Sequence, residues 1–309
     1  MTIAIAWILQ IFLIPAVAPL LLGITRKVKA FFQNRQGASI VQPYRDFWKL
    51  FHKDEVISTD ASWIFRFAPY VVFATTLVLT ASIPVLTYAT RTTLTGDFLV
   101  VVYIFAFGTF FLALSGIDTG SGFGGFGASR EMMVASLTEG GLVLSLFTLA
   151  LLTGTTNLFH IAQTLTSISL TQVAPVFLAG MSFCIALLAE TSRYPFDNPA
   201  THLELTMIHE AMILEYSGKR LALMEWAAAN KYALFLALGA QLFFPWGIAH
   251  DVSVLGMFAA LGVLLCKLII GCFVIALIES SIAKLRIFKL PDLLFTSFVL
   301  SIVALGFIL

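Results

Sequence analysis

Between Glu190 and Lys219 the chain reads ETSRYPFDNPATHLELTMIHEAMILEYSGK, which gathers Glu190, Asp197, His202, Glu204, His209, Glu210 and Glu215 into one short stretch. Carboxylates can take and release protons at neutral pH when burial raises their pKa, so the chemistry this set suggests is proton transfer. Metal binding is the competing chemistry. There is no HExxH, however, and the seven-residue step from His202 to His209 is loose for a single zinc site. A solvated helix face is the bland alternative. Four more ionisable residues extend the set: Glu131, Glu139, Lys267 and Glu279 all lie in or beside long apolar runs. Glu139 is eight residues past Glu131, about 12 Å further along a helix. Lys267 is about 18 Å from Glu279 by the same rise. Charges at such depth face a protein interior, where they pair, neutralise or mark an ion path. Lys267 and Glu139 are candidate partners for one another.

The elements holding these residues follow from composition. The 309 residues are 59% apolar and 11% charged, with 29 Phe and a net charge of +1. A soluble domain could not cover so large an apolar fraction, and the small net charge excludes a nucleic-acid binder or a polybasic arm. An all-α integral membrane protein is predicted, as a single polytopic domain over 1–309 with eight spans: Ile5–Thr25, Phe67–Tyr88, Phe98–Ser115, Met132–Thr153, Val173–Ala189, Tyr232–Ala249, Val254–Ile278 and Leu293–Leu309. The first is too long for a signal h-region, and its basic residues follow it, so it reads as a retained span. Alternate connections carry almost all the Lys and Arg, while the opposite side holds Arg91, which places the long loops in the cytoplasm and both termini outside.

Two cytoplasmic connections are long. Residues 26–62 interleave Phe31, Phe32, Phe47, Trp48, Leu50 and Phe51 with basic residues and read as a pair of short amphipathic helices. Residues 190–231 form the acidic loop, in which THLELTMIHEAMILE has helical periodicity with Leu203, Met207, Ala211 and Leu214 inward and Gly218 as a cap. Gly154–Gln172 reads as an uncharged surface turn of helix. Cys184, Cys266 and Cys272 lie in apolar runs without a CxxC and read as small buried hydrophobes, so neither a disulfide framework nor an iron–sulfur cluster is expected. GSGFGGFG fits GxGxxG twice but lacks the strand before it that a dinucleotide site needs. It reads as a compact loop allowing close backbone approach, with Asp118 and Arg130 flanking it as a candidate pair.

The spaced elements ExxRxPFDxP, EL and EYSG in the quoted stretch resemble those of the membrane component of respiratory complex I that carries the quinone chamber (subunit 1, also lettered H). They are similar also to its relatives in membrane-bound, group 4 nickel–iron hydrogenases, among them formate hydrogenlyase and hydrogenase-4 types. The likeness covers essentially the whole chain. Departures favour the hydrogenase branch: Ala200 and His202 stand at acidic positions of the loop pattern, only RQGASIVQP remains of a longer segment, Glu279 replaces an arginine-rich helix end, and IDTGS with GASRE is of hydrogenase type. The resemblance implies a non-catalytic anchoring and ion-coupling subunit, the alternative being the quinone-chamber subunit of complex I proper. By position Glu139 and Glu190 match a carboxylate passage, and Arg193, Asp197, Glu204 and Glu215 match the loop beneath the redox module, with His202, His209 and Glu210 in the same loop. Glu131, Lys267 and Glu279 join the relay from their placement alone. No cofactor is implied for this chain. A nickel–iron centre and iron–sulfur clusters are implied for partners, namely hydrogenase large and small subunits, iron–sulfur subunits and antiporter-like membrane subunits in a prokaryotic plasma membrane. A pure scaffold, in which the acids only shape the docking loop, is the third reading.

Overall fold

The computed structural model describes residues 2–90, 92, 94–167, 169, 172–197, 207–250 and 253–308. Among them there is no β-strand, and eleven α-helices follow in order: α1 (Thr2–Phe32), α2 (Gln42–Phe51), α3 (Trp63–Ser82), α4 (Phe98–Asp118), α5 (Gly122–Thr153), α6 (Leu158–Thr164), α7 (Val173–Glu190), α8 (His209–Ile213), α9 (Gly218–Phe243), α10 (Val254–Ser281) and α11 (Leu290–Gly306). Seven of these elements are long and apolar enough to cross a membrane: α1, α3, α4, α5, α7, α10 and the segment Ile287–Gly306. The chain is a multi-pass membrane protein. α9 has the length but not the composition, because Lys219, Arg220, Glu225, Asn230 and Lys231 interrupt it. It packs against α1, α2, α3, α7 and α10, and Ala233 through Leu238 are all buried. A helix walled in by protein need not match lipid.

Two prolines show how tertiary contacts repair helices. Pro19, within α1, has no N–H for the Pro15 carbonyl one turn back. The Trp226 indole donates to that carbonyl at 2.9 Å. Pro69, within α3, likewise frees the Phe65 carbonyl, which accepts from the Tyr216 hydroxyl at 2.9 Å. Elsewhere small residues let helices close up. Ser182 of α7 and Ser297 and Ser301 of α11 exchange hydroxyl bonds at 2.7–2.8 Å, and Ser301 also reaches the Gly141 carbonyl of α5 at 3.3 Å. Buried hydroxyls and glycines of this kind are the usual glue between membrane helices.

The glycine-rich segment is not the loop its composition suggests. Gly122–Gly127 form the first turns of α5, and the close approach is to α4: a Cβ on Gly124 would stand 2.1 Å from the Gly116 carbonyl oxygen. Gly124→Val is therefore expected to destabilise by about 1–3 kcal/mol or more through overpacking. Gly125→Val, where a Cβ meets open space, is expected to leave the apparent Tm of the purified protein unchanged. Asp118 does not pair with Arg130. It accepts from Ser62 N, Ser62 Oγ and Phe65 N at 2.8, 2.6 and 3.3 Å, fixing the start of α3, whereas Arg130 donates to the Met207 carbonyl at 3.2 Å.

Other boundaries move for similar reasons. The 26–62 connection holds one short helix rather than two, because α1 runs on through Phe31 and Phe32. α2 buries Pro43 and Phe47 and exposes Trp48. The acidic loop is shorter than 190–231, since α9 begins at Gly218. Gly218 opens that helix with φ +55° rather than closing one, and a Cβ there would crowd the Asp54 carbonyl at 2.9 Å. Of the predicted loop helix, His209–Ile213 is helical, Met207 and Ala211 are buried, and Leu214 is exposed. Leu203 lies outside the described residues. α6 is the expected helix between α5 and α7, but Leu158, Phe159, Ile161 and Ala162 bury it. Cys272 is buried, while Cys184 and Cys266 are exposed on outward helix faces, so they are not the core residues expected.

Candidate functional site

A cavity of about 550 Å³ opens beneath α2. α1 supplies Arg26 and Lys29; α2 supplies Asp46 and Phe47; α3 and α4 supply Leu79, Phe105 and Thr109; Glu131 comes from α5 and Glu190 from the end of α7. α8 contributes His209 and Glu210, α9 contributes Glu225, Lys231 and Tyr232, and α10 contributes Glu279. Charged groups face a partly apolar wall.

Three ion-pair groups organise the walls. Glu279, almost fully buried, lies 3.0 Å from Lys29 Nζ and accepts from Arg193 Nη1 at 3.1 Å. Burial works most strongly against the Arg193 charge, but the Glu279 carboxylate, together with Tyr232 and Cys272, outweighs it and the guanidinium pKa is raised. The Arg193 guanidinium stacks over the Tyr232 ring at 4.3 Å and the Lys29 ammonium over Tyr194 at 4.5 Å. Asp197, also buried, pairs with Lys284 at 2.8 Å and accepts from the backbone N–H groups of Ile208 and His209 at 3.1 Å each. This carboxylate aims the start of α8 at the chamber. Glu190 pairs with Lys231 at 2.8 Å, and Lys231 also donates to Thr109 at 3.0 Å.

A second cavity of about 100 Å³ shares Phe105, Thr109 and Glu190 with the first and is also lined by Glu139 and Ser136. Glu190 therefore forms part of both walls. Glu139 is partly buried there, and among the described residues its side chain makes no hydrogen bond or ion pair. Glu131 is buried and faces the main chamber.

Lys267 is elsewhere. Among the described residues its ammonium meets only oxygens at the far end of α9, with Gln241 Oε1 at 2.9 Å and the Phe244 carbonyl at 2.6 Å, so it does not pair with Glu139. The carbonyls at and beyond a helix end can accept from a lysine as a carboxylate can, and nothing in the spacing reveals which it meets. Glu215 is exposed and lies on neither cavity. Glu204 and His202, like Ala200, lie outside the described residues. The EYSG element acts structurally in three of its four positions. Tyr216 stacks on Phe65 at 3.9 Å, the Ser217 hydroxyl bridges the N–H and carbonyl of Val56, and Gly218 supplies the left-handed turn. Lys29, Lys231, Glu225 and Tyr232 escaped sequence reasoning. The only signal for Lys231 was a cation at the edge of a weakly apolar run.

Burial pushes the Glu210 carboxyl up to about 7, aided by Glu225 and Asp197 and opposed by Arg26, and it holds His209 down to about 4. Glu210 thus exchanges protons near neutrality. Its stabilising contribution is complete below its ordinary 4.5 and is lost as pH rises through about 7. The His209 contribution is complete above its ordinary 6.5 and is lost as pH falls through about 4. The two oppose each other between 4.5 and 6.5. Glu210→Gln is expected to flatten the fall in apparent Tm as pH rises through about 7 and to leave the acid limb intact; a pH series of melting curves checks it.

The NADH dehydrogenase family model matches residues 4–309. The chain is 36% identical to formate hydrogenlyase subunit 4 of Escherichia coli (strain K12), over 94% of both chains. It is 34% identical to hydrogenase-4 component C of the same organism, over 93% of this chain and 90% of the relative. Identity is 30% to the NADH-quinone oxidoreductase H component of Rubrobacter xylanophilus, over 92% of this chain and 87% of the relative. Among solved structures, the membrane-bound sulfane sulfur reductase, an archaeal respiratory membrane complex, superposes over 100% of both chains with a TM-score of 0.87 at 20% identity. That likeness concerns the fold. With its charged chamber, its loop anchored by Asp197 and relatives along its whole length, the chain belongs to the NADH dehydrogenase family, that of complex I subunit 1/H.

Proposed function

We propose that this chain is the non-catalytic, membrane-anchoring and ion-coupling subunit of an energy-converting group 4 nickel–iron hydrogenase complex. It links electron transfer in a docked peripheral arm to proton or sodium translocation. One observation carries the reading: Glu190 borders both cavities, the larger of which is also lined by Glu210 and Glu131 and the smaller by Glu139. α9 serves as the eighth span, its polar residues sheltered by its neighbours. α2 lies along the membrane surface by its apolar side. The basic connections, with α2 and the loop of Arg193 and Asp197, face the cytoplasm, and both termini lie outside. Hydrogenase large and small subunits and iron–sulfur subunits carry the nickel–iron centre and the clusters, and they dock over this face. Antiporter-like subunits receive the charge beyond Glu139. Glu210, with a pKa of about 7, suits protons as the ion relayed. In the intact assembly, Glu139→Gln is expected to preserve hydrogen evolution and to cut the ion gradient built per electron at least tenfold. A variant that evolves hydrogen and builds the parent gradient removes the relay.

A second reading, a quinone site, draws on the same chamber, since Leu22, Val72, Leu79 and Phe105 offer a ring-sized apolar wall. Quinone-dependent turnover of the purified complex, with no nickel-containing subunit present, favours it. A subunit inventory with a nickel-containing large subunit favours the first.

A further inference from the structure

At the end of α9 remote from the chamber, the last helical carbonyls have no donor within the helix, and the negative end of the helix dipole gathers there. Four oxygens converge on one point near that end. The Lys267 ammonium of α10 lies 3.5 Å from the Ala240 carbonyl, 2.9 Å from Gln241 Oε1, 2.6 Å from the Phe244 carbonyl and 2.5 Å from the Trp246 carbonyl. None belongs to a carboxylate. A neutral cage of oxygens around a single positive charge is the chemistry of a monovalent-cation site.

The cage is built, not incidental. The Gln241 amide donates through Nε2 to the Val85 carbonyl at 2.7 Å, which turns its Oε1 toward the ammonium. The turn that aims the Phe244 and Trp246 carbonyls passes through Gly247 at φ +86°, pressed so closely on α10 that a Cβ would stand 2.5 Å from Val263 Cγ1. Val263 precedes Lys267 by one helical turn, so a single face of α10 shapes the turn and supplies its charge.

We propose that this cage is a monovalent-cation site whose resident cation is the Lys267 ammonium, and that once vacated it accepts a primary ammonium ion from solution. The occupied cage clamps α9 to α10. Lys231 lies ten residues before Gln241, about 15 Å along the helix. The clamp therefore sets the height at which α9 presents Lys231 to Glu190, which matters for a helix too polar to be held at depth by lipid alone.

The test uses the intact detergent-purified complex carrying Lys267→Ala, which removes the side-chain length of one n-propylammonium. The variant is expected to lose several degrees of apparent Tm and to regain them with millimolar n-propylammonium. Neither n-propanol, which fills the space without charge, nor tetramethylammonium, which carries charge without N–H donors, should restore it. Equal rescue by n-propanol overturns the cation site in favour of simple packing, and a parent-like Tm for Lys267→Met overturns it outright. If Lys267→Ala does not accumulate, Gln241→Leu, which removes one oxygen, is expected to lower the Tm and Lys267→Arg to remain close to the parent. An unchanged Gln241→Leu Tm overturns the cage.

Discussion

Glu279→Leu is expected to be among the most damaging single substitutions in this chain, at about 3–5 kcal/mol, because it leaves two inward-facing cations without a counter-charge. Glu279 is the only acid within ion-pair distance of Lys29 and Arg193 among the described residues. Arg193 is itself buried, so its charge is then left without a partner. The loop that carries Arg193 and Asp197 should then detach from α10, with loss of apparent Tm and increased hydrogen exchange across residues 191–197. The double variant Glu279→Leu, Arg193→Leu restores neutral packing on that side, and it is expected to recover a good part of the loss, since neighbouring charges are not additive. If the single and double variants are equally unstable, the ion pair is not what holds the loop.

Lys231→Met carries the second large expectation. It removes the cation 2.8 Å from Glu190, at the junction of the two cavities. With the cation gone, Glu190 stands at that junction without its counter-charge, and the step between the two cavities loses the pair that holds it. Ion translocation per electron is expected to fall at least tenfold while hydrogen evolution continues. Adding Glu190→Gln removes the orphaned acid, so the double variant should regain stability without regaining coupling. This separates a relay from a scaffold. If the acids only shape the docking loop, the single variant should lose assembly instead, with coupling per electron unchanged in whatever complex remains.

The difference between what sequence shows and what packing decides is visible in individual residues. Apolar runs of membrane length are a property of the chain itself, because lipid demands them wherever the helix is exposed, and so the spans around α1, α3, α4, α5, α7, α10 and α11 could be read directly. α9 blurred because its environment is protein, and its true start lies fourteen residues before the predicted Tyr232. The loop pattern was legible as a resemblance, yet why Tyr216, Ser217 and Gly218 belong together appears only when Phe65, Val56 and Asp54 are brought beside them.

The chain by itself determined that this is a helical membrane protein of the complex I subunit 1/H family, with acids concentrated between its fifth and sixth long helices and within α5. Whether each charge became a wall, a pair or a cap was decided by the tertiary structure. Glu279 and Lys29 are 250 residues apart in sequence and 3.0 Å apart in space. Lys267 and Glu139, equally suspect in their apolar runs, turned out to have nothing to do with each other. The reason is physical: periodicity encodes which residues must leave water, whereas the free energy of a buried charge depends on the few ångströms around it, which only the folded neighbours supply.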